Sequence, residues 1–136
     1  MDVTDPQVEL VERVSLSPHE MTIPSNIEKR LAKLRKLGFY KPIIVDFESM
    51  VILDGHHKWN AAEMLGLIKV PVLKVDYLKS TEIEVRTWPD CGREEITKDE
   101  VIGMGLSEGL FPPKTSRHFF PFDIPSIRIP LGDLAD

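Results

Sequence analysis

The chain has 136 residues, 42% hydrophobic and 29% charged, which suits one domain with a modest core. Its net charge of −5 argues against an extended nucleic-acid surface, since such surfaces draw affinity from lysines and arginines set against phosphates. No apolar run approaches the roughly 20 residues that span a bilayer, and the acidic start MDVTDPQVELVE lacks the basic head and apolar stretch of a secretory signal. A cytoplasmic protein with a single domain over residues 1–136 is expected. Lone Cys91, in the turn-like run Trp88-Pro89-Asp90-Cys91-Gly92, can form neither an internal disulfide nor a multi-cysteine zinc site and reads as an incidental thiol.

Gln7 to Leu16 alternates imperfectly through Val8, Leu10 and Val14, as an edge strand does. Ser17-Pro18-His19-Glu20 breaks the run. Ser25, with Glu28 three residues on, predicts a capping box and a helix to Leu37, with a core stripe of Ile27, Leu31, Leu34 and Leu37 and Gly38 as its stop. Lys41 to Val45 and Met50 to Leu53 predict a hairpin around the bend Asp46 to Ser49. A second helix starts near His56 or His57, carries Trp59, Ala62 and Leu65 on one face, and stops at Gly66. Lys69 to Tyr77 and Glu82 to Trp88 alternate cleanly and predict two more strands, giving a sheet of about five. Thr97 with Glu100 predicts a capping box and a short helix to Leu106, ended by Gly109. Five prolines from Pro112 to Pro130 predict an extended, wrapping tail.

The segment Asp54 to Trp59 carries the chemistry. A strand feeds a tight Asp54-Gly55 turn and then a helix start, whose free backbone N–H groups and dipole favour an anion. Gly55 lets the backbone approach a phosphate, and His56, His57 and Lys58 add side-chain donors. Asp54 either shares a magnesium ion with bound phosphates or merely caps the helix with the histidines exposed; both readings stand at this point. Zinc is disfavoured, because adjacent histidines diverge by about 100° on a helix and no further ligands sit at the right spacing.

The stretch ILDGHHKWNAAEMLGLIKVPV, Ile52 to Val72, resembles the core of the ParB/sulfiredoxin-like superfamily, and DGHHKW is similar to the DGHHRW motif of its free serine kinases. SPHE, Ser17 to Glu20, resembles the loop that carries their catalytic glutamate. PPKTSRHFFPF, Pro112 to Phe122, resembles their C-terminal motif, with Lys114, Thr115, Arg117 and His118 in register, and Trp88 in RTWP matches a tryptophan near their serine site. The resemblance implies an α/β (α+β) fold with a small mixed sheet flanked by helices. It also implies a kinase that moves a phosphoryl group from ATP or ADP to free L-serine, giving O-phospho-L-serine for cysteine or serine metabolism.

On that resemblance Glu20 is the base, with Asp54 and His57 as further catalytic residues. Gly55, His56, His57, Lys58, Lys114 and Thr115 hold nucleotide phosphates; Trp88, Thr115, Ser116, Arg117 and His118 hold serine; Asp54 is the candidate Mg2+ ligand; His19 shapes the loop. The expected partners are free L-serine and a nucleotide, with no nucleic acid and no membrane. Lys58 stands where those kinases carry arginine, and only Pro89 to Phe111 spans the place of their extra lobe, so ATP and ADP both remain open as donor. A ParB-like nucleotide-binding regulatory or DNA-associated module is the rival, although ParB proteins continue into a helix-turn-helix region not found here. Sulfiredoxin chemistry needs a cysteine after the motif glycine, where this chain has His56.

Overall fold

The computed structural model describes residues 7–135, so the acidic residues 1–6 and Asp136 lie outside the described residues. In chain order it contains β1 (Val8–Glu12), a 3-10 turn (Arg13–Ser15), α1 (Pro24–Leu37), β2 (Ile43–Asp46), β3 (Ile52–Asp54), α2 (His56–Met64), β4 (Lys69–Val75), β5 (Glu84–Thr87), α3 (Lys98–Gly105), β6 (Ser116–Phe119) and a 3-10 turn (Leu131–Leu134).

The run Ile43-Ile44-Val45 is buried at every position and therefore needs cover on both sides, which an interior strand receives. The sheet order is accordingly β1-β4-β2-β3, with β2 parallel to β4 and antiparallel to β3, and β1 on the edge as its imperfect alternation predicts. Successive residues then serve opposite faces. Ile43, Val45, Ile52, Val70 and Val72 pack with Leu34 of α1 and Ala61 and Ala62 of α2. Ile44, Leu53 and Leu73 face the other way, toward Tyr77, Val101 of α3 and Phe111. The mixed, helix-flanked sheet agrees with the expected class. No helix among the described residues is long and apolar enough to cross a membrane.

Three local expectations are corrected. Glu82 to Trp88 does not join the sheet: β5 pairs antiparallel with β6 in a separate two-stranded unit. Alternation reports one half-buried face, not the identity of the partner strand. The partner comes from the proline-rich tail, in the proline-free window between Pro113 and Pro121 where every backbone donor is available.

Second, α1 begins at Pro24 with Ile23 as N-cap and no side-chain cap, so Ser25 and Glu28 form no capping box. Proline suits the first helical position because its missing N–H had no intrahelical partner to lose. Third, α3 has the expected box between Thr97 and Glu100 but ends at Leu106, ahead of Gly109. Gly66, at φ 71, does follow the end of α2. Half-buried Cys91 sits in the expected turn, its Sγ directed at the Arg93 carbonyl.

Candidate active site

β3 delivers Asp54 to the sheet end, and Gly55 turns the chain into α2 with φ 108 and ψ 20. A Cβ here would lie 3.1 Å from Ile43 Cγ1, so the turn crowds a side chain as well as favouring glycine. Asp54 does not cap α2, whose N-cap is Gly55 without a side-chain bond. The next two residues stitch a second segment onto this helix start. His56 Nε2 accepts the His19 N–H at 3.2 Å, and His57 Nε2 accepts the Ile23 N–H at 3.0 Å. A ring nitrogen that accepts is unprotonated, so in the neutral form each histidine carries its proton on Nδ1. Burial, with neighbouring imidazoles, pushes His56 well below the ordinary histidine value; burial, with Arg30 and Lys114 nearby, lowers His57 as well. At neutral pH both are uncharged N–H donors, not cations.

The stitched segment is also held along its length. Ser17 bridges Val51, and Glu20 bridges Phe111, so residues 17 to 21 run extended between the start of β3 and the start of the tail. Glu20 Oε1 accepts the N–H groups of Thr115 at 3.0 Å and Ser116 at 2.8 Å, and Ser116 Oγ lies 3.0 Å away. The Lys114 N–H is directed at the same carboxylate. Lys114 has φ 57, uncommon for a residue with a side chain, and this bend turns three successive N–H groups into one concave nest for an anion. Burial raises the Glu20 pKa and these hydrogen bonds oppose it, leaving the carboxyl above its ordinary value.

The β5-β6 pair brings Trp88 to the tail: its Nε1 donates to the Ser116 carbonyl at 3.0 Å, and the Arg117 guanidinium lies 4.7 Å from its ring centre. His118 Nε2 meets the Tyr77 hydroxyl at 2.8 Å, and burial lowers this histidine to about 3.

These segments enclose a cavity of about 450 Å³ whose wall includes Glu20, Asp54, Gly55, His56 and His57 with Trp88, Lys114, Ser116, Arg117 and His118. Two sequence-derived candidates sit elsewhere. Thr115 is buried, its hydroxyl donating to the Pro112 carbonyl at 2.7 Å, so it meets the site only through its backbone. Lys58 is 7% exposed, and its Nζ donates to the carbonyls of Lys41 and Pro42 at 3.3 and 3.4 Å. It lines an adjoining cavity of about 320 Å³ with Arg30, Lys33 and Lys41, and burial lowers its pKa to about 8. Asp54, Gly55, His57 and Arg30 border both cavities.

Asn26 and Arg30, which α1 contributes to the larger cavity, were not among the sequence-derived candidates. Their i, i+4 spacing on a helix that directly follows SPHE was the available signal. As for magnesium, the described residues contain no cluster of three His, Cys, Asp or Glu side chains fit to hold a metal alone. Among the described residues, Glu20 and Asp54 are the carboxylates that line the larger cavity, and Glu20 is already cradled. Asp54 therefore fits a magnesium ion that takes its remaining ligands from substrate phosphates and water.

No protein-family model matches the chain. A ParB-like protein of Sulfolobus acidocaldarius is 48% identical over 82 residues, covering 60% of this chain and 41% of the relative. An ATP-dependent L-serine kinase of Desulfurococcus mucosus is 31% identical over 116 residues, covering 79% and 45%. An ADP-dependent L-serine kinase of Thermococcus kodakarensis is 30% identical over 105 residues, covering 74% and 42%. The chain thus spans less than half the length of these relatives. Among solved structures, a free serine kinase in complex with AMP superposes with a TM-score of 0.83 at 20% identity, covering 93% of each chain. C-terminally truncated SbnI of Staphylococcus aureus superposes at 0.74 with 15% identity, covering 93% of this chain and 88% of that one. The chain has the fold shared by these proteins.

Proposed function

We propose that this chain is the catalytic unit of a cytoplasmic kinase that phosphorylates free L-serine from ATP or ADP, giving O-phospho-L-serine. The observation that carries this reading is the cradled Glu20. Its Oε1 accepts the Thr115 and Ser116 N–H groups, which fixes a carboxylate on the cavity wall in one orientation. A base held this way, with a raised affinity for protons, suits removal of a hydroxyl proton. The sequence similarity to L-serine kinases of both donor types supports the same chemistry.

In the proposed reaction the serine hydroxyl oxygen forms a bond to the terminal phosphorus as the bridging P–O bond of the nucleotide breaks. The hydroxyl proton passes to Glu20 Oε2. Free N–H groups at the start of α2, with the Nδ1–H of His57, receive phosphate oxygens. Lys114 supplies positive charge beside them, and Lys58 with Arg30 and Lys33 supplies it in the adjoining cavity. Arg117 pairs bidentately with the serine carboxylate, His118 bounds that end, and Trp88 walls the small side chain. Asp54 would hold magnesium, which when bound neutralises charge on the phosphates. Serine carries one carboxylate and one ammonium, and the two anionic and three cationic side chains on the cavity wall match that mixture.

One observation favours a second reading, a nucleotide-binding regulatory module without turnover: the relative with 48% identity is described as ParB-like. Incubating the purified protein with L-serine, magnesium and either ATP or ADP, and measuring O-phosphoserine by mass spectrometry, separates the two. Product that disappears in Glu20→Gln supports the kinase and identifies its donor; nucleotide binding without product supports the module.

A further inference from the structure

His19 is fully buried and absent from the cavity wall, yet both of its ring nitrogens are engaged. Nδ1 lies 2.7 Å from the Ile52 carbonyl oxygen, which can only accept, so Nδ1 carries a proton. Nε2 lies 2.8 Å from Ser116 Oγ, and Ser116 Oγ lies 3.0 Å from Glu20 Oε1. Ser116 has one hydroxyl hydrogen for these two neighbours. If His19 is neutral, that hydrogen must point to Nε2, and Ser116 Oγ then faces a carboxylate oxygen with lone pairs on both sides; the contact is tolerable when Glu20 is protonated and repulsive when it is ionised. If His19 is protonated, Nε2–H donates to Ser116, the serine hydrogen turns to Oε1, and an ionised Glu20 gains a hydroxyl donor beside its backbone N–H groups.

We propose that His19 and Glu20 share one proton through the Ser116 hydroxyl, His19 being a positioning residue that sets the ionisation of the base without touching substrate. The two arrangements contain the same number of protons and differ only in which end holds the extra one. The surroundings bear on that balance. Burial opposes charge on His19 and the hydrogen bond to the Ile52 carbonyl favours it, with the rings of His56 and His118 4.6 and 6.1 Å away. On the Glu20 side, burial opposes the carboxylate and the hydrogen bonds from Ser116, Thr115 and Lys114 favour it, with Arg30, Asp54, His57, Lys114 and Arg117 on the same cavity wall. Neither end is held in one state by its neighbours alone, and the serine hydroxyl between them couples the two.

This inference rests on the kinase reading for its catalytic meaning, but a spectroscopic readout tests it independently. Ser116→Ala breaks the coupling and leaves the backbone cradle of Glu20 in place. His19→Asn retains a donor toward Ile52 and removes Nε2, and Ser116→Thr restores the hydroxyl. The acid limb of kcat/KM for serine is expected to move by roughly one unit in each variant, to higher pH in Ser116→Ala, where Glu20 loses a hydroxyl donor, and to lower pH in His19→Asn, where the Ser116 hydrogen no longer has Nε2 to serve and turns to Glu20. Serine KM is expected to change little, the double variant to match Ser116→Ala, and Ser116→Thr to regain the original limb. A role for Ser116 in substrate contact alone would instead raise KM and leave His19→Asn with the original profile, overturning the proposal. If no phosphoserine forms at all, nitrogen-15 NMR of the His19 ring remains decisive. Its titration is expected to shift in Glu20→Gln and in Ser116→Ala, and an unshifted titration in both refutes proton sharing.

Discussion

Replacing Glu20 with glutamine removes the proposed proton acceptor while leaving its loop in place. The glutamine Oε1 still accepts the Thr115 and Ser116 N–H groups, which lie at 3.0 and 2.8 Å in the native chain. Its amide NH2 takes the position of Oε2, at the cavity, where it cannot take a proton. General base catalysis contributes about 10² to 10⁴ in rate. With each factor of ten equal to about 1.4 kcal/mol, Glu20→Gln is expected to lose roughly 3 to 5 kcal/mol of transition-state stabilisation, all of it in kcat. Glu20→Ala differs, because it leaves a nest of buried N–H donors without an acceptor, at about 1 to 3 kcal/mol for each unsatisfied group. Initial rates of phosphoserine formation at saturating nucleotide, taken with thermal unfolding of both variants, distinguish these effects. The alanine variant should melt several degrees lower and the glutamine variant close to wild type. A Glu20→Gln enzyme that keeps kcat within tenfold of wild type, with native melting, refutes the assignment of Glu20 as base.

Gly55→Ala forces an L side chain to φ 108 and sets its Cβ 3.1 Å from Ile43; a loss of about 1 to 3 kcal/mol in urea unfolding is expected, together with loss of nucleotide affinity. His19 and His118 titrate near 4 and 3 in the folded chain against 6.5 when exposed, so the unfolded state binds more protons between those values. Their contribution to stability is complete above pH 6.5 and lost as pH falls toward 4 and below, which a series of urea midpoints from pH 8 to 4 checks. Arg117→Lys removes the two-pronged partner proposed for the serine carboxylate, and serine KM should rise about tenfold or more with kcat less affected, as steady-state kinetics would read.

Much of the sheet was legible because its signals are local. The doubly covered run Ile43 to Val45, the glycine stops and the Thr97 capping box each depend on a few adjacent residues. What escaped was pairing at long range. Nothing between Glu82 and Trp88 states that its partner lies some thirty residues on, beyond three prolines, because alternation constrains a face and not a neighbour. The same limit applies to the site. Its motifs could be recognised one by one, yet His56 and His57 read only as side-chain donors to phosphate, and the fold alone shows that each also accepts a backbone N–H, from His19 and from Ile23. Lys58 likewise gave no sign that its ammonium would rest against the Lys41 and Pro42 carbonyls, since burial follows from what packs above a residue. Arg30 was hidden by its place on a helix whose apolar stripe explained that helix sufficiently.

The three N–H groups around Glu20 come from residues 114 to 116, whereas the sheet that supports Glu20 is finished at Val75. During synthesis the first strands and helices can pack long before the nest has left the ribosome. Until then the carboxylate faces an open groove with no donors to orient it. The cradle therefore arrives as a late, separate event, so that a partly made chain can be folded in its centre while Glu20 is still unaimed.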